Sequence, residues 1–274
     1  MLRLSYLNTM RGLEEGLRVA DIAVFDLLTC EPTDRIADVL SRVARFDFDN
    51  VPVRDGECVI GVVEDIKRQS PAAEVEDVRA PLAESMLVAG STSLRAFLPR
   101  IADRPYRLVV SEGGIAGVVT PSDVVQLPVR LLVFALIAHL EEVMRAAIRE
   151  TQPDDERTVE KLGARRLENV QTTLRRQKKK GLNPAPLDVT QFIDKANLLF
   201  DLPVVTEKEG DRAMFTQFYE LRNKVDHVDR YAETPEKLSA FLQHIEELEM
   251  WIDRLTDLLP PDTPAATSSS GSRP

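Results

Sequence analysis

The sequence predicts an α+β protein in two parts, a duplicated unit of helices and hairpins followed by an all-helical segment. Three observations carry this prediction. Two stretches, Val51 to Val63 and Arg107 to Val119, share one pattern at a constant offset of 56 residues. Beyond Pro128 the apolar residues recur with a helical period instead of alternating. From Pro260 the chain is rich in Pro, Ser and Thr, has almost nothing to bury, and is expected to be disordered. The expected boundaries are a helical lead-in over 1–20, the duplicated part over 21–127, the helical part over 128–259 and a tail over 260–274.

Each copy of the duplicated part begins with an amphipathic stretch. Thr33 to Phe46 carries Ile36, Val39, Leu40 and Val43 at helical spacing, and Ser91 to Ala102 carries Leu94, Phe97, Leu98 and Ile101. Thr33 and Ser91 are suited to cap these helices. In each copy a β-branched run, a Gly-containing turn and a second apolar run then signal a hairpin. The unit is helix, strand, turn, strand, helix, used twice.

The second hairpin ends in Gly117-Val118-Val119-Thr120-Pro121-Ser122-Asp123. Pro at the first helical position and a carboxylate in the first turn mark a helix start, where free backbone N–H groups favour an anion. The Thr120 and Ser122 hydroxyls add donors, and Asp123 can accept hydrogen bonds from a sugar diol, a combination that suits a ribose phosphate. A plainer alternative makes Thr120 an N-cap and Asp123 a first-turn acid matched to the helix dipole.

The duplicated unit and its Gly-Val-Val-Thr-Pro-Ser-Asp stretch resemble a tandem pair of CBS domains over about residues 21–127. The resemblance implies an adenine nucleotide (AMP, ADP or ATP) as regulatory ligand, with Thr120 on phosphate, Asp123 on ribose, Ser122 nearby and Tyr106 flanking the base. The first copy departs from the pattern, placing Glu64 and Lys67 where the second has Thr120 and Asp123. A carboxylate repels phosphate, so one competent site at most is expected, on the second copy.

In the second part, Val129 to Glu150 is one expected helix, with Leu132, Leu136, Leu140, Val143, Ala147 and Ile148 along one side. Pro153 breaks it. A second helix is expected from Glu156 to Lys180, a third from Val189 to Asp201, a fourth from near Asp211, and a last one opened by Thr234 and Pro235. Four or five antiparallel helices make a bundle. Between Arg157 and Lys180 there are nine Lys or Arg against Glu160 and Glu168. This strip reads either as a solvated, dipole-matched helix end or as a track for an RNA backbone through Arg165, Arg166, Arg175, Arg176, Lys178, Lys179 and Lys180.

Late on the fourth helix stands Leu221-Arg222-Asn223-Lys224-Val225-Asp226-His227. With Arg-Asn followed by His near the end of a helix in a small bundle, the stretch 128–259 resembles the HEPN superfamily. The resemblance implies a metal-independent endoribonuclease, often a toxin or defence effector, acting as a homodimer. Arg222 and His227 would be catalytic, with Asn223 in support. On an ideal helix Asn223 and His227 share a face, but Arg222 and His227 lie about 140° apart, so one shared phosphate needs a bend near Asp226 or a second subunit. The plainer alternative pairs Arg222 with Asp226, four residues on, and leaves His227 as an ordinary helix-end residue.

Composition bounds these readings. The net charge of −10 argues against a general nucleic-acid coat but leaves room for a local basic surface. Cys30 and Cys58 are too few for a disulfide framework and have no metal-ligand spacing, so no metal is expected. The apolar stretch Leu131 to Leu140 is about half a membrane span, and the first residues show no export signal. The expected location is the cytoplasm, with no membrane partner.

Overall fold

The β-branched run at Val51 folds as β1 (Val51–Asp55), turns at Gly56 with a φ of +57°, and returns as β2 (Cys58–Val63). The chain then adds β3 (Ala80–Pro81) and β4 (Leu87–Ala89) before the second hairpin, β5 (Arg107–Ser111) and β6 (Gly114–Val119). This computed structural model describes Gly12 and residues 16–46, 48–202, 205–226 and 232–260. The strands form two three-stranded sheets, ordered β1-β2-β3 and β4-β5-β6.

The 56-residue offset holds pair by pair. Val51 faces Val63 and Val53 faces Gly61, with an irregularity between Val53 and Arg54. Arg107 faces Val119 and Val109 faces Gly117, with the irregularity between Val109 and Val110. Both copies therefore carry the same register and the same bulge, which bends the strand at the same point.

The third partner of each hairpin is exchanged between copies. Ala80, in the segment leading into the second copy, pairs with Val62 of the first. Val24, in the segment leading into the first copy, pairs with Val118 of the second, exchanging hydrogen bonds of 2.8 and 2.9 Å. The two pairings are related by the same offset, 24 to 80 and 62 to 118. Gly61 and Gly117, also 56 apart, lie where the exchanged segment crosses. A Cβ at Gly61 would stand 2.4 Å from the Ala80 carbonyl oxygen, and one at Gly117 3.0 Å from that of Val24.

The helices of the duplicated part are α1 (Ile36–Val43), α2 (Val75–Val78) and α3 (Leu94–Phe97), the last continuing as a 3₁₀ turn over Leu98–Asp103. Two cap expectations are corrected here. The N-cap position of α1 is Arg35, extended and bridged to Glu74, because the Glu31 N–H closes a turn on Asp34 Oδ2 at 3.0 Å ahead of it; no side chain caps the helix start. The N-cap position of α3 is Ser93, because Ser91 and Thr92 form a turn closed by the Thr92 N–H on the Ala89 carbonyl at 3.0 Å and Ser93 bridges Arg18. Ile36, Val39 and Val43 bury one face of α1 on Val51, Val53 and Val63. A second cluster joins residues of both copies, Val59 and Val62 with Met86, Tyr106 and Leu108.

The chain separates into two compact units, one drawn from Met1–Ile137 and Leu221–Glu246, the other from Ala138–Glu220 and Glu247–Pro274. The division falls inside helices and differs from the boundary expected at 127/128. The long helices are α4 (Leu127–Thr151), α6 (Ala164–Lys179), α8 (Asp211–Asp226) and α9 (Pro235–Asp257), with the shorter α5 (Asp155–Val159) and α7 (Phe192–Phe200). The single helix expected from Glu156 to Lys180 is two. Asp154 caps α5 by accepting from the N–H groups of Glu156 and Arg157, and Gly163 restarts the chain as the cap residue of α6. In the second unit Phe215 is the hub of an aromatic core, with ring centroids 6.1 Å from Phe192, 5.1 Å from Phe200, 5.5 Å from Phe218 and 5.0 Å from Trp251.

Candidate functional site

In the first unit, β6 delivers Thr120 to a short 3₁₀ turn, Pro121–Val125. Asp123 folds back on the start of that turn. Its Oδ2 accepts from the Thr120 N–H at 2.7 Å and from Thr120 Oγ1 at 2.9 Å, and its Oδ1 accepts from Gln126 Nε2 at 2.7 Å. Gln126 also donates to the Ile22 carbonyl at 2.8 Å, anchoring the turn to the exchanged segment. A carboxylate has about four acceptor positions, so these three donors leave one on Asp123 for an incoming hydroxyl. The Thr120 hydroxyl proton is committed to Asp123, and a phosphate could claim it only by breaking that bond. Ser122 is exposed at the apex of the turn and lines a cavity of about 570 Å³ with Arg104, Pro105 and Pro121.

Tyr106 stands apart from this turn in character. It is 3% exposed and packs with Val59, Val62, Met86 and Leu108. Its hydroxyl donates to Glu64 Oε1 at 2.8 Å, and Arg104 Nη2 lies 3.7 Å from the same oxygen. Burial, and then the bond to Glu64, push the phenol well above its ordinary range. Glu64, the first copy's counterpart of Thr120, thus ties the copies together. Lys67, the counterpart of Asp123, pairs with Asp49 at 2.9 Å.

In the helical stretch, α8 holds Arg222 and Asn223 between the buried Leu221 and Val225. Asn223 is exposed. The Arg222 guanidinium lies 5.7 Å from the centre of the Phe134 ring, within cation–π range. Arg130 Nε donates to the Val225 carbonyl at 2.7 Å, fixing the adjacent turn of α8 to α4. His227 lies outside the described residues.

The basic strip belongs to the second unit. Arg165, Arg166, Arg175, Arg176, Lys178, Lys179 and Lys180 are all exposed, and within α6 only Val170 is buried. Arg166 is also tied inward, donating to Gln191 Oε1 at 2.9 Å and facing the buried Asp194 at 3.4 Å. Among the described residues no group of three or more His, Cys, Asp or Glu is placed to hold a metal ion, and no helix is long and apolar enough to cross a membrane.

The start of the repeat was legible but missed. Val19-Ala20-Asp21-Ile22 and Val75-Glu76-Asp77-Val78 stand at the same offset of 56, so the duplication begins earlier than residue 21. Val19 N–H bonds the Thr92 carbonyl at 3.0 Å and Val75 N–H the Asp34 carbonyl at 2.9 Å, each fastening a lead-in segment to the opposite end of the pair.

No family model and no curated protein matches the chain. Solved CBS-domain structures align with its N-terminal part. The CBS domains of a transcriptional regulator from Streptococcus pneumoniae are 27% identical, cover 39% of this chain and 96% of their own, and give a TM-score of 0.35. The CBS domain of a bacterial CNNM/CorC family Mg2+ transporter, solved in complex with ATP, is 20% identical over 48% of this chain and 98% of its own, with a TM-score of 0.36. CBSX2, solved in complex with AMP, is 24% identical over 40% and 94%, with a TM-score of 0.34.

Proposed function

We propose that the duplicated part is a CBS-type pair that binds an adenine nucleotide at the Thr120–Asp123 turn, and that the HEPN-like helical part is a metal-independent endoribonuclease tuned by that ligand. The observation that carries the first half is the hydrogen-bonded turn itself. Asp123 is held by Thr120 and Gln126 with one acceptor position left over, which is what a ribose hydroxyl needs. Calorimetry with AMP, ADP and ATP tests it. Asp123→Ala is expected to weaken binding about tenfold or more, and an unchanged affinity would sink this assignment.

The second half is supported by the Arg222-Asn223…His227 spacing and by the exposed basic helix α6. In this mechanism the RNA 2'-hydroxyl attacks the adjacent phosphorus and the 5'-oxygen leaves, so the product carries a 2',3'-cyclic phosphate. Arg222 stabilises the charge on the phosphorane, and His227 exchanges a proton with one of the two oxygens, a role that suits histidine as a residue type. RNA cleavage in excess chelator is expected for the wild type and lost in Arg222→Ala and His227→Ala. Equal activity in all three would remove the enzyme reading.

One observation favours a second reading, a noncatalytic nucleotide-sensing adaptor. The Arg222 guanidinium lies over Phe134, and Phe134, Leu131 and Leu127, at helical spacing on α4, are 43%, 47% and 59% exposed. An arginine stacked beside an exposed apolar stripe also suits a surface that docks a partner. Cleavage that is absent in the wild type, together with intact nucleotide binding, would select this reading.

A further inference from the structure

The cavity of about 570 Å³ beside Pro121 and Ser122 has a second wall, supplied by α9. Pro235, Ser239, Leu242 and Glu246 line it at helical spacing, so one side of that helix borders the space for about 16 Å at 1.5 Å per residue. This part of α9 and the Thr120–Asp123 turn belong to the same compact unit, which includes the chain to Ile137 and again from Leu221 to Glu246. Ser122 is two residues past Thr120, so the space that α9 borders begins next to the position where a phosphate would meet the turn.

The charges of this space decide what can enter it. Among the described residues its lining holds one cation, Arg104, and two carboxylates, Glu233 and Glu246. The cation is engaged elsewhere: Arg104 Nη1 donates to Ser85 Oγ at 2.6 Å, and Nη2 lies 3.7 Å from Glu64 Oε1. Glu233, just ahead of Pro235, has a longer contact with Lys237 of 3.6 Å. Glu246 stands at the other end of the helical wall. The wall therefore carries a carboxylate at each end, and a point midway lies about 8 Å from either, within one Debye length at about 0.1 M salt. A phosphate chain that grows along the wall in either direction approaches a like charge.

We propose that α9 makes the Thr120–Asp123 turn selective for a nucleoside monophosphate, with Glu233 and Glu246 opposing the negative charge that a second and third phosphate would bring. The proposal rests on the nucleotide reading of that turn. It places the discriminating groups outside the duplicated part, on a helix remote from it in sequence. Discrimination arises here by repulsion of the larger ligand and needs no added contact to the smaller one.

The test is calorimetry of the full chain with AMP and ATP as probes, in chelator and at low salt. The wild type is expected to bind AMP at least about threefold more tightly than ATP. A double variant, Glu233→Gln with Glu246→Gln, should bind ATP at least about threefold more tightly than the wild type and AMP within about twofold of it. That gain should shrink as salt is added. Both side chains are exposed, so the substitutions leave the core untouched, and circular dichroism checks that the variant folds. Glu112→Gln, at an exposed position in the turn between β5 and β6, is the charge control and should change neither affinity. Equal binding of AMP and ATP by the wild type, unchanged ATP binding in the double variant, or the same gain in Glu112→Gln would overturn the selectivity while leaving the nucleotide reading in place. Binding of neither nucleotide would overturn both. A final arm repeats the ATP titration with excess Mg2+. Tighter binding of ATP than of AMP there would also overturn the proposal, since the carboxylates would then be holding a cation on the phosphates instead of opposing them.

Discussion

Cys30 and Cys58 sit within one sheet region and face opposite fates. Cys30 is 1% exposed, donates its thiol proton toward the Pro52 carbonyl, and is pushed up to about 11 by burial, with the nearby Asp34 adding to the effect. Cys58 opens β2 and is exposed. A thiol reagent at pH 8 is therefore expected to modify Cys58 in the folded chain and to reach Cys30 only after unfolding, since the thiolate is the reactive form. Mass spectrometry of the labelled peptides reads this out, and rapid native labelling of Cys30 would contradict it. The paired glycines give a graded version of the same reasoning. Gly61→Ala must displace a backbone carbonyl 2.4 Å away, whereas Gly117→Ala meets its nearest atom at 3.0 Å. Gly61→Ala should cost about 1–3 kcal/mol and Gly117→Ala less, a ranking that chemical denaturation can confirm or reverse.

At the scale of elements, the hairpins and most helices could be read directly, because alternation, helical period and a fixed repeat are local signals. What could not be read depends on partners distant in sequence. The N-cap positions are Arg35 and Ser93, not Thr33 and Ser91, because turns occupy the preceding residues and bridges to Glu74 and Arg18 hold the cap residues themselves. Tyr106 was expected beside a base, but its ring is spent on the packing between copies and its hydroxyl on Glu64. In the helical part, Asp188 shows what packing adds to a short 3₁₀ turn, Pro186–Val189. Burial raises its pKa, but Arg149 and Arg145, each bonded to it at 2.8 Å, outweigh that and hold it below the ordinary carboxylate range. Because the folded value is depressed, the stabilisation is fully present above the unfolded value near 3.9 and is lost as pH falls through the folded value. Asp188→Asn is expected to cost about 1–3 kcal/mol at neutral pH, with the gap to wild type closing below about pH 4. Denaturation curves at pH 3 and pH 7 test the sign, and a gap that widens in acid would refute it.

At the scale of the whole molecule, neither copy of the duplicated part is complete without a segment that precedes the other. Deleting the chain through Val24 removes both bonds to Val118, one of them donated by the Val118 N–H at 2.9 Å. The Val118 amide is expected to exchange with solvent about tenfold faster or more in that variant, while Val62, still covered by Ala80, keeps its protection. Hydrogen exchange resolves the two amides, and equal acceleration at both would show that the copies open together.

The exchange also sets an order on biosynthesis. Val24 leaves the ribosome 94 residues ahead of Val118, the partner it must meet. At translation rates of roughly 5–20 residues per second, the early segment waits about 5–20 s before its strand exists. The first hairpin can close meanwhile, but its edge stays open until Ala80 emerges. A nascent chain stalled between residues 64 and 80 therefore presents an unpaired β2 edge, a template for pairing with another chain.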